Sequence, residues 1–198
     1  MCLRAVTTIF EPTKREAMNN GNGQRNPEPQ LPRSDVGDTA CAHHTVITRS
    51  EKETEQLGAR LGRRLRPGTV VALYGDLGAG KTVLARGVAR GLDIEEPVTS
   101  PTFTVVQEYE TRHGFFLFHL DMYRIDNSDA ALAFGIEEYL FAADGVTLVE
   151  WPEQIADLLQ TPGNDPGVLV TLRIAAGNRT ERRISLPERV GREIGFAG

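Results

Sequence analysis

The stretch TVVALYGDLGAGKTVLARG, residues 69–87, limits what this chain can fold into more than any other. Residues 69–74 are β-branched and apolar, the composition of a strand buried on both faces. That run stops at Gly75. Gly75, Gly78 and Gly80 then open the backbone to conformations closed to residues with a Cβ. From Thr82 to Arg90 apolar residues recur at helical spacing, and Gly91 sits where a C-terminal cap would. The spacing Gly75-x-x-x-x-Gly80-Lys81-Thr82 is that of a P-loop. The N–H groups of such a loop form a concave anion site, and the helix that follows adds its positive end. Gly75, Asp76, Leu77, Gly78, Ala79, Gly80, Lys81 and Thr82 are therefore expected to hold a nucleotide phosphate. Lys81 would supply a point charge at the β and γ phosphates, and the Thr82 hydroxyl a ligand for Mg²⁺. The alternative is a glycine-rich turn with no ligand. The strand before the loop and the helix after it argue against that.

With 198 residues the chain is expected to form one domain with appended tails. Its net charge of −5 speaks against a protein whose main task is to grip nucleic acid. The arginines of ARLGRRLRPG (59–68) and NRTERR (178–183) read as a solvated helix face and a polar hairpin. Cys2 and Cys41 both fall in the irregular N-terminal part and suggest no disulfide framework. The opening residues lack the apolar core of a secretory signal, and no run is long enough to span a bilayer, so a cytoplasmic location is expected.

Residues 1–43 read as a disordered tail, rich in Asn, Gly, Pro and Gln. Residues 44–190 are expected to form the domain and 191–198 a C-terminal tail. His43 and His44 have no third ligand nearby and read as solvated. Within the domain, 44–48 is a strand and 50–65 a helix, with Ser50 and Glu53 as a capping box. The second part of 98–110 alternates like a strand and, across the turn 111–114, forms a hairpin with a strand at 115–121, and 127–140 is helical in two pieces broken at Gly135. Residues 145–150 form a buried strand and 152–160 a helix with Pro152 in its first turn. A last hairpin joins 167–175 to 181–187. The sum is a three-layer α/β fold with a mixed sheet, parallel around the loop and antiparallel at its edges.

A phosphate-binding loop of this kind needs a carboxylate on a neighbouring strand to serve Mg²⁺. Two strands end in one: FFLFHLD at Asp121 and GVTLVE at Glu150. Either could hold the metal, leaving the other to orient water or a switch segment. Each could instead cap a turn or helix. His119 and Asp121, two apart on a strand, share a face. They read as a polar strand end facing the nucleotide, since a third metal ligand is missing. In SPTFT (100–104), Ser100, Thr102 and Thr104 offer hydroxyls to phosphate, water or metal, or form a simple turn. Arg86 and Arg124 are candidate charge stabilisers. The absence of an Asn-Lys-x-Asp run leans towards ATP over GTP.

LYGDLGAGKT (73–82), SPTFT (100–104), HLDMYR (119–124), GIEEYL (135–140) and LVEWPE (148–153) together resemble the bacterial TsaE (YjeE) family, from about residue 46 to about residue 186. The resemblance implies a small ATPase of tRNA threonylcarbamoyladenosine (t6A) modification, working with the proteins TsaB and TsaD, which hold the tRNA. It implies ATP and Mg²⁺ as cofactors, Thr82 and Glu150 as metal ligands, and Lys81, Asp121 and Glu150 as catalytic residues. It further implies that Arg49, Glu51 and Arg179 close over the nucleotide, and that Trp151 packs beside the metal. Two rival readings are a small-molecule kinase, against which the absence of an arginine-rich lid counts, and a nucleotide-dependent binding module.

Overall fold

The computed structural model describes residues 43–160, 169–177 and 180–196. Cys2, Cys41 and the expected tail up to residue 42 lie outside the described residues, as does Arg179. In chain order the elements are β1 (His43–Thr48), α1 (Glu51–Gly62), β2 (Val70–Tyr74), α2 (Lys81–Gly91), β3 (Val106–Glu110), β4 (Phe116–Asp121) and α3 (Ser128–Leu132). They continue with β5 (Gly145–Glu150), α4 (Ala156–Leu159), β6 (Leu169–Ala176), β7 (Arg182–Pro187) and α5 (Glu188–Glu193). Single 3-10 turns occupy Ile136–Glu138 and Pro152–Ile155. Among the described residues, no helix is long and apolar enough to cross a membrane.

The seven strands form one sheet in the order β1-β7-β6-β2-β5-β4-β3. The four central strands β6, β2, β5 and β4 are parallel, while β3, β7 and β1 join antiparallel at the two edges. This is the expected mixed sheet. β2 and β5 are buried along nearly their whole length, which explains their largely apolar sequences.

Strand alternation sorts the side chains into two cores. On one face Val71 and Leu73 of β2, Leu117 of β4, Val146 and Leu148 of β5, and Ile184 and Leu186 of β7 pack under α1, α2 and α5. On the other face Val70, Ala72, Phe118, Leu120 and Val149 pack under α3, α4 and the 3-10 turns. The same parity carries His119 and Asp121 of β4, Glu150 of β5 and Arg182 of β7 onto the α2 face. In register, Asp121 sits opposite Glu150, and Glu150 opposite Leu73, so three strand ends lie side by side where the loop after β2 begins.

α1 and α2 pack against each other through glycines. A Cβ on Gly58 would lie 2.4 Å from Leu84 O, one on Gly62 2.3 Å from Val88 O, one on Gly87 2.3 Å from Glu55 O and one on Gly91 2.4 Å from Ala59 O. Each helix thus presents two glycines four residues apart, and each fits against the other's backbone. A buried hydroxyl pair, Thr48 Oγ1 to Thr54 Oγ1 at 2.7 Å, ties β1 to α1.

Three details differ from the sequence reading. The cap of α1 does not close on itself: Ser50 Oγ accepts from Glu53 N at 3.1 Å, but Glu53 Oε2 accepts from Arg49 N, one residue ahead of the expected Ser50 N. The C-terminal boundary at 190 is too early. α5 runs to Glu193, Val190 and Ile194 are both core residues, and Arg60 stacks on Phe196 at 5.2 Å. Val190 and Ile194 stand four apart and share one helical face. His44, expected to be solvated, rests against Phe196 with ring centroids 6.1 Å apart.

Candidate nucleotide-binding site

The loop between β2 and α2 borders a cleft of about 310 Å³ at the C-terminal ends of the parallel strands. This is where open α/β sheets bind their ligands. Gly75, Gly78 and Gly80 all take positive φ, and Gly80, at +106°, stands as N-cap of α2 with no side chain to close the helix end. The first N–H groups of α2 are thereby left for a ligand rather than for a cap. A Cβ on Gly80 would also strike Arg182, 2.4 Å from its Nε.

Lys81 is buried at 5 % exposure. Its ammonium donates to Gly75 O at 2.6 Å and Asp76 O at 3.0 Å, and lies 3.7 Å from the centre of the Trp151 ring. Burial lowers its pKa, opposed by the charges of Glu150, Glu153, Asp121 and Asp76. Trp151 follows β5 with φ +59, left-handed backbone that bulky residues rarely adopt. That turn lays the indole on Lys81 and on Tyr123, whose ring lies 5.0 Å from it.

The Thr82 hydroxyl donates to both oxygens of Glu150, at 3.0 Å to Oε1 and 3.1 Å to Oε2. His119 Nε2 reaches Glu150 Oε1 at 3.0 Å. Asp121 Oδ2 accepts from Ser100 Oγ and from Thr102 Oγ1, the latter at 2.7 Å, while its Oδ1 accepts from Tyr123 N at 3.0 Å. The segment 100–104 is therefore tied to the β4 carboxylate. The cleft lining brings together Leu77, Gly78, Gly80, Lys81, Thr82, Ser100, Thr102, Asp121, Glu150, Trp151 and Glu51 of α1. Gly75 and Asp76 serve from behind through their carbonyls, and Ala79 is buried under the loop.

Other expected residues lie elsewhere. Arg49 stands ahead of the α1 cap, gives its backbone N–H to Glu53 and does not line the cleft. Arg86 spends its Nε–H on Val98 O at 3.2 Å. Arg124 stacks 4.5 Å over the exposed Phe103 ring, and Thr104 is exposed beside it. Conversely, Arg182, in a hairpin whose sequence predicts a solvated polar surface, reaches the site. Its side chain is only 13 % exposed, lines the cleft and lies 3.8 Å from Glu51 Oε1. Its parity with Ile184 and Leu186 was the available signal.

Among the described residues, no group of three or more His, Cys, Asp and Glu side chains is arranged to hold a metal. Mg²⁺ does not require one, because it is bound through one or two protein oxygens, substrate phosphates and water. A hydroxyl and a carboxylate converging beside a phosphate loop fit that donor set.

The family described as threonylcarbamoyl adenosine biosynthesis protein TsaE matches residues 48–184. A tRNA threonylcarbamoyladenosine biosynthesis protein TsaE of Treponema pallidum is 39% identical over 134 residues, covering 67% of this chain and 94% of the relative. The Bacillus subtilis protein of the same name is 42% identical over 113 residues, 57% of this chain and 68% of that one. The crystal structure of Bacillus subtilis YdiB superposes with a TM-score of 0.61 at 30% identity, covering 77% of this chain and 94% of that one. A match from 48 to 184, with a relative aligned along nearly its full length, leaves one assignment: the chain belongs to the TsaE family.

Proposed function

We propose that this protein binds and hydrolyses ATP with Mg²⁺ as the nucleotide-driven component of tRNA t6A biosynthesis, cycling a TsaB–TsaD complex between turnovers in the cytoplasm. One observation carries the ATP reading: the Thr82 hydroxyl meets both oxygens of Glu150 directly beside the buried ammonium of Lys81. Family membership and the names of the relatives carry the pathway.

The residues then divide the work as follows. Lys81 leaves Gly75 O and Asp76 O for the β and γ phosphates, and the loop N–H groups and the start of α2 take the remaining phosphate charge. Thr82 and Glu150 would hold Mg²⁺, which would neutralise developing phosphate charge. Asp121 orients the attacking water, and its bonds to Ser100 and Thr102 couple that carboxylate to the 100–104 segment. Arg182 supplies positive charge at the mouth of the cleft. tRNA is met mainly through the partners, which agrees with a net charge of −5.

The test is ATP hydrolysis by the purified protein, alone and with TsaB and TsaD, with Lys81→Ala as control. Slow turnover alone that rises with the pair, and vanishes in Lys81→Ala, is the expected result. Turnover indifferent to the pair but stimulated by a small metabolite would replace the reading with a kinase. Full support of t6A formation by a hydrolysis-dead Asp121→Ala protein would reduce it to a binding module.

A further inference from the structure

Glu150 has a second partner that the reaction as described does not use. His119, on β4 and fully buried, approaches Glu150 Oε1 with its Nε2 at 3.0 Å. Its other ring nitrogen, Nδ1, is the one buried side-chain polar atom without a hydrogen-bond partner among the described residues. A leucine would fill this volume without orphaning a nitrogen, so packing alone does not account for a histidine here. The bond to Glu150 does. Facing a carboxylate oxygen, Nε2 is placed to donate a hydrogen bond to it.

The two oxygens of Glu150 are consequently unequal. Oε1 receives both His119 and Thr82, at 3.0 Å each, while Oε2 receives Thr82 alone, at 3.1 Å. The geometry points to His119 as a positioning residue that pins Oε1 and so fixes the Glu150 carboxylate beside Thr82, where the two would hold Mg²⁺. Outer partners of this kind fix the direction of a metal-binding side chain and its affinity. The inference rests on Thr82 and Glu150 being the Mg²⁺ ligands.

The experiment measures ATP affinity calorimetrically, with Mg²⁺ and with EDTA, on the full chain and on His119→Leu and His119→Gln. Glutamine can place an amide N–H where the imidazole Nε2–H lies; leucine cannot. In the parent, Mg²⁺ tightens ATP binding. In His119→Leu that tightening falls by about tenfold or more, the usual effect of removing such a partner. Affinity in EDTA stays unchanged, and His119→Gln recovers most of the loss. Equal tightening in His119→Leu, or a glutamine variant as poor as the leucine one, would overturn the proposal. Should His119→Leu fail to fold, His119→Met carries the same prediction. A parent that binds ATP with no response to Mg²⁺ would overturn the ligand assignment and this inference together.

Discussion

Two sets of glycines in this protein do opposite things. In the seam between α1 and α2, Gly58, Gly62, Gly87 and Gly91 have ordinary helical backbone and no room, because a Cβ on any of them would fall within 2.4 Å of a carbonyl oxygen across the seam. In the phosphate loop, Gly78 has room and unusual backbone: nothing lies within 4 Å of its Cβ position, but its φ is +77°. The first set lets two helices touch along their backbones and holds α2 still. In the proposed function, the second lets the chain ahead of α2 curl around an anion. On that reading the seam is a matter of stability and the loop a matter of binding, and substitutions should separate the two.

The largest effect is expected in the seam. Gly58→Ala pushes a methyl group into Leu84 O and should cost about 3 kcal/mol, as overpacking of a filled core does. For a domain of this size that lowers the melting temperature by about 6–12 °C. ATP affinity of the folded protein should stay near that of the parent. Adding Gly87→Ala should cost less than it does alone, because both methyl groups force the same helices apart.

Lys81→Met should reverse the pattern. The melting temperature without nucleotide should move by no more than about 2 °C, the lost bonds to Gly75 O and Asp76 O being offset by removal of a buried charge. The stabilisation by ATP, about 2.7 kcal/mol at a hundred times the parent's Kd, should vanish. A melting temperature that falls as far as in Gly58→Ala would show that the loop, too, is structural.

Arg182→Ala should weaken ATP binding by about tenfold, the loss of one charge-assisted contact, with little change in melting temperature. Isothermal titration reads the first and a thermal scan the second. Gly78→Ala should cost about 1 kcal/mol, from left-handed backbone strain alone. The smallest effect is a pH dependence. The Lys81 pKa is lowered by burial, so the folded state binds fewer protons than the unfolded state between that lowered value and the ordinary lysine value of 10.5. Stability of the parent relative to Lys81→Met should therefore rise with pH across that window and level off above it. Paired thermal scans at several alkaline pH values check the sign.

Much of this architecture was legible in the sequence. The apolar run 69–74, the glycine spacing and the helical periodicity after Thr82 identify one strand–loop–helix unit, and the largely apolar runs 115–121 and 145–150 mark two further strands. The parity of those strands also carries Asp121 and Glu150 to the face of α2. Other features were harder to read because they depend on contacts distant in sequence. The four seam glycines recur at four-residue spacing in both helices, but which helix meets which is settled only when β2 lies between β6 and β5. Arg182 shares parity with Ile184 and Leu186, yet its place at the cleft depends on β7 being carried round by β6. Glu53 bonds Arg49 N rather than Ser50 N, a one-residue shift within a local motif that a residue pattern does not resolve.

Trp151 is the sole tryptophan of the chain, and its indole lies 3.7 Å from the ammonium of Lys81. An indole's emission is sensitive to a charge that close. A phosphate that draws the ammonium away from the ring would change the colour and intensity of that light. On the proposed reading the protein therefore carries its own optical gauge of loop occupancy, one that needs no label. Stopped-flow emission could time the arrival and departure of nucleotide turnover by turnover, with and without a partner on the surface.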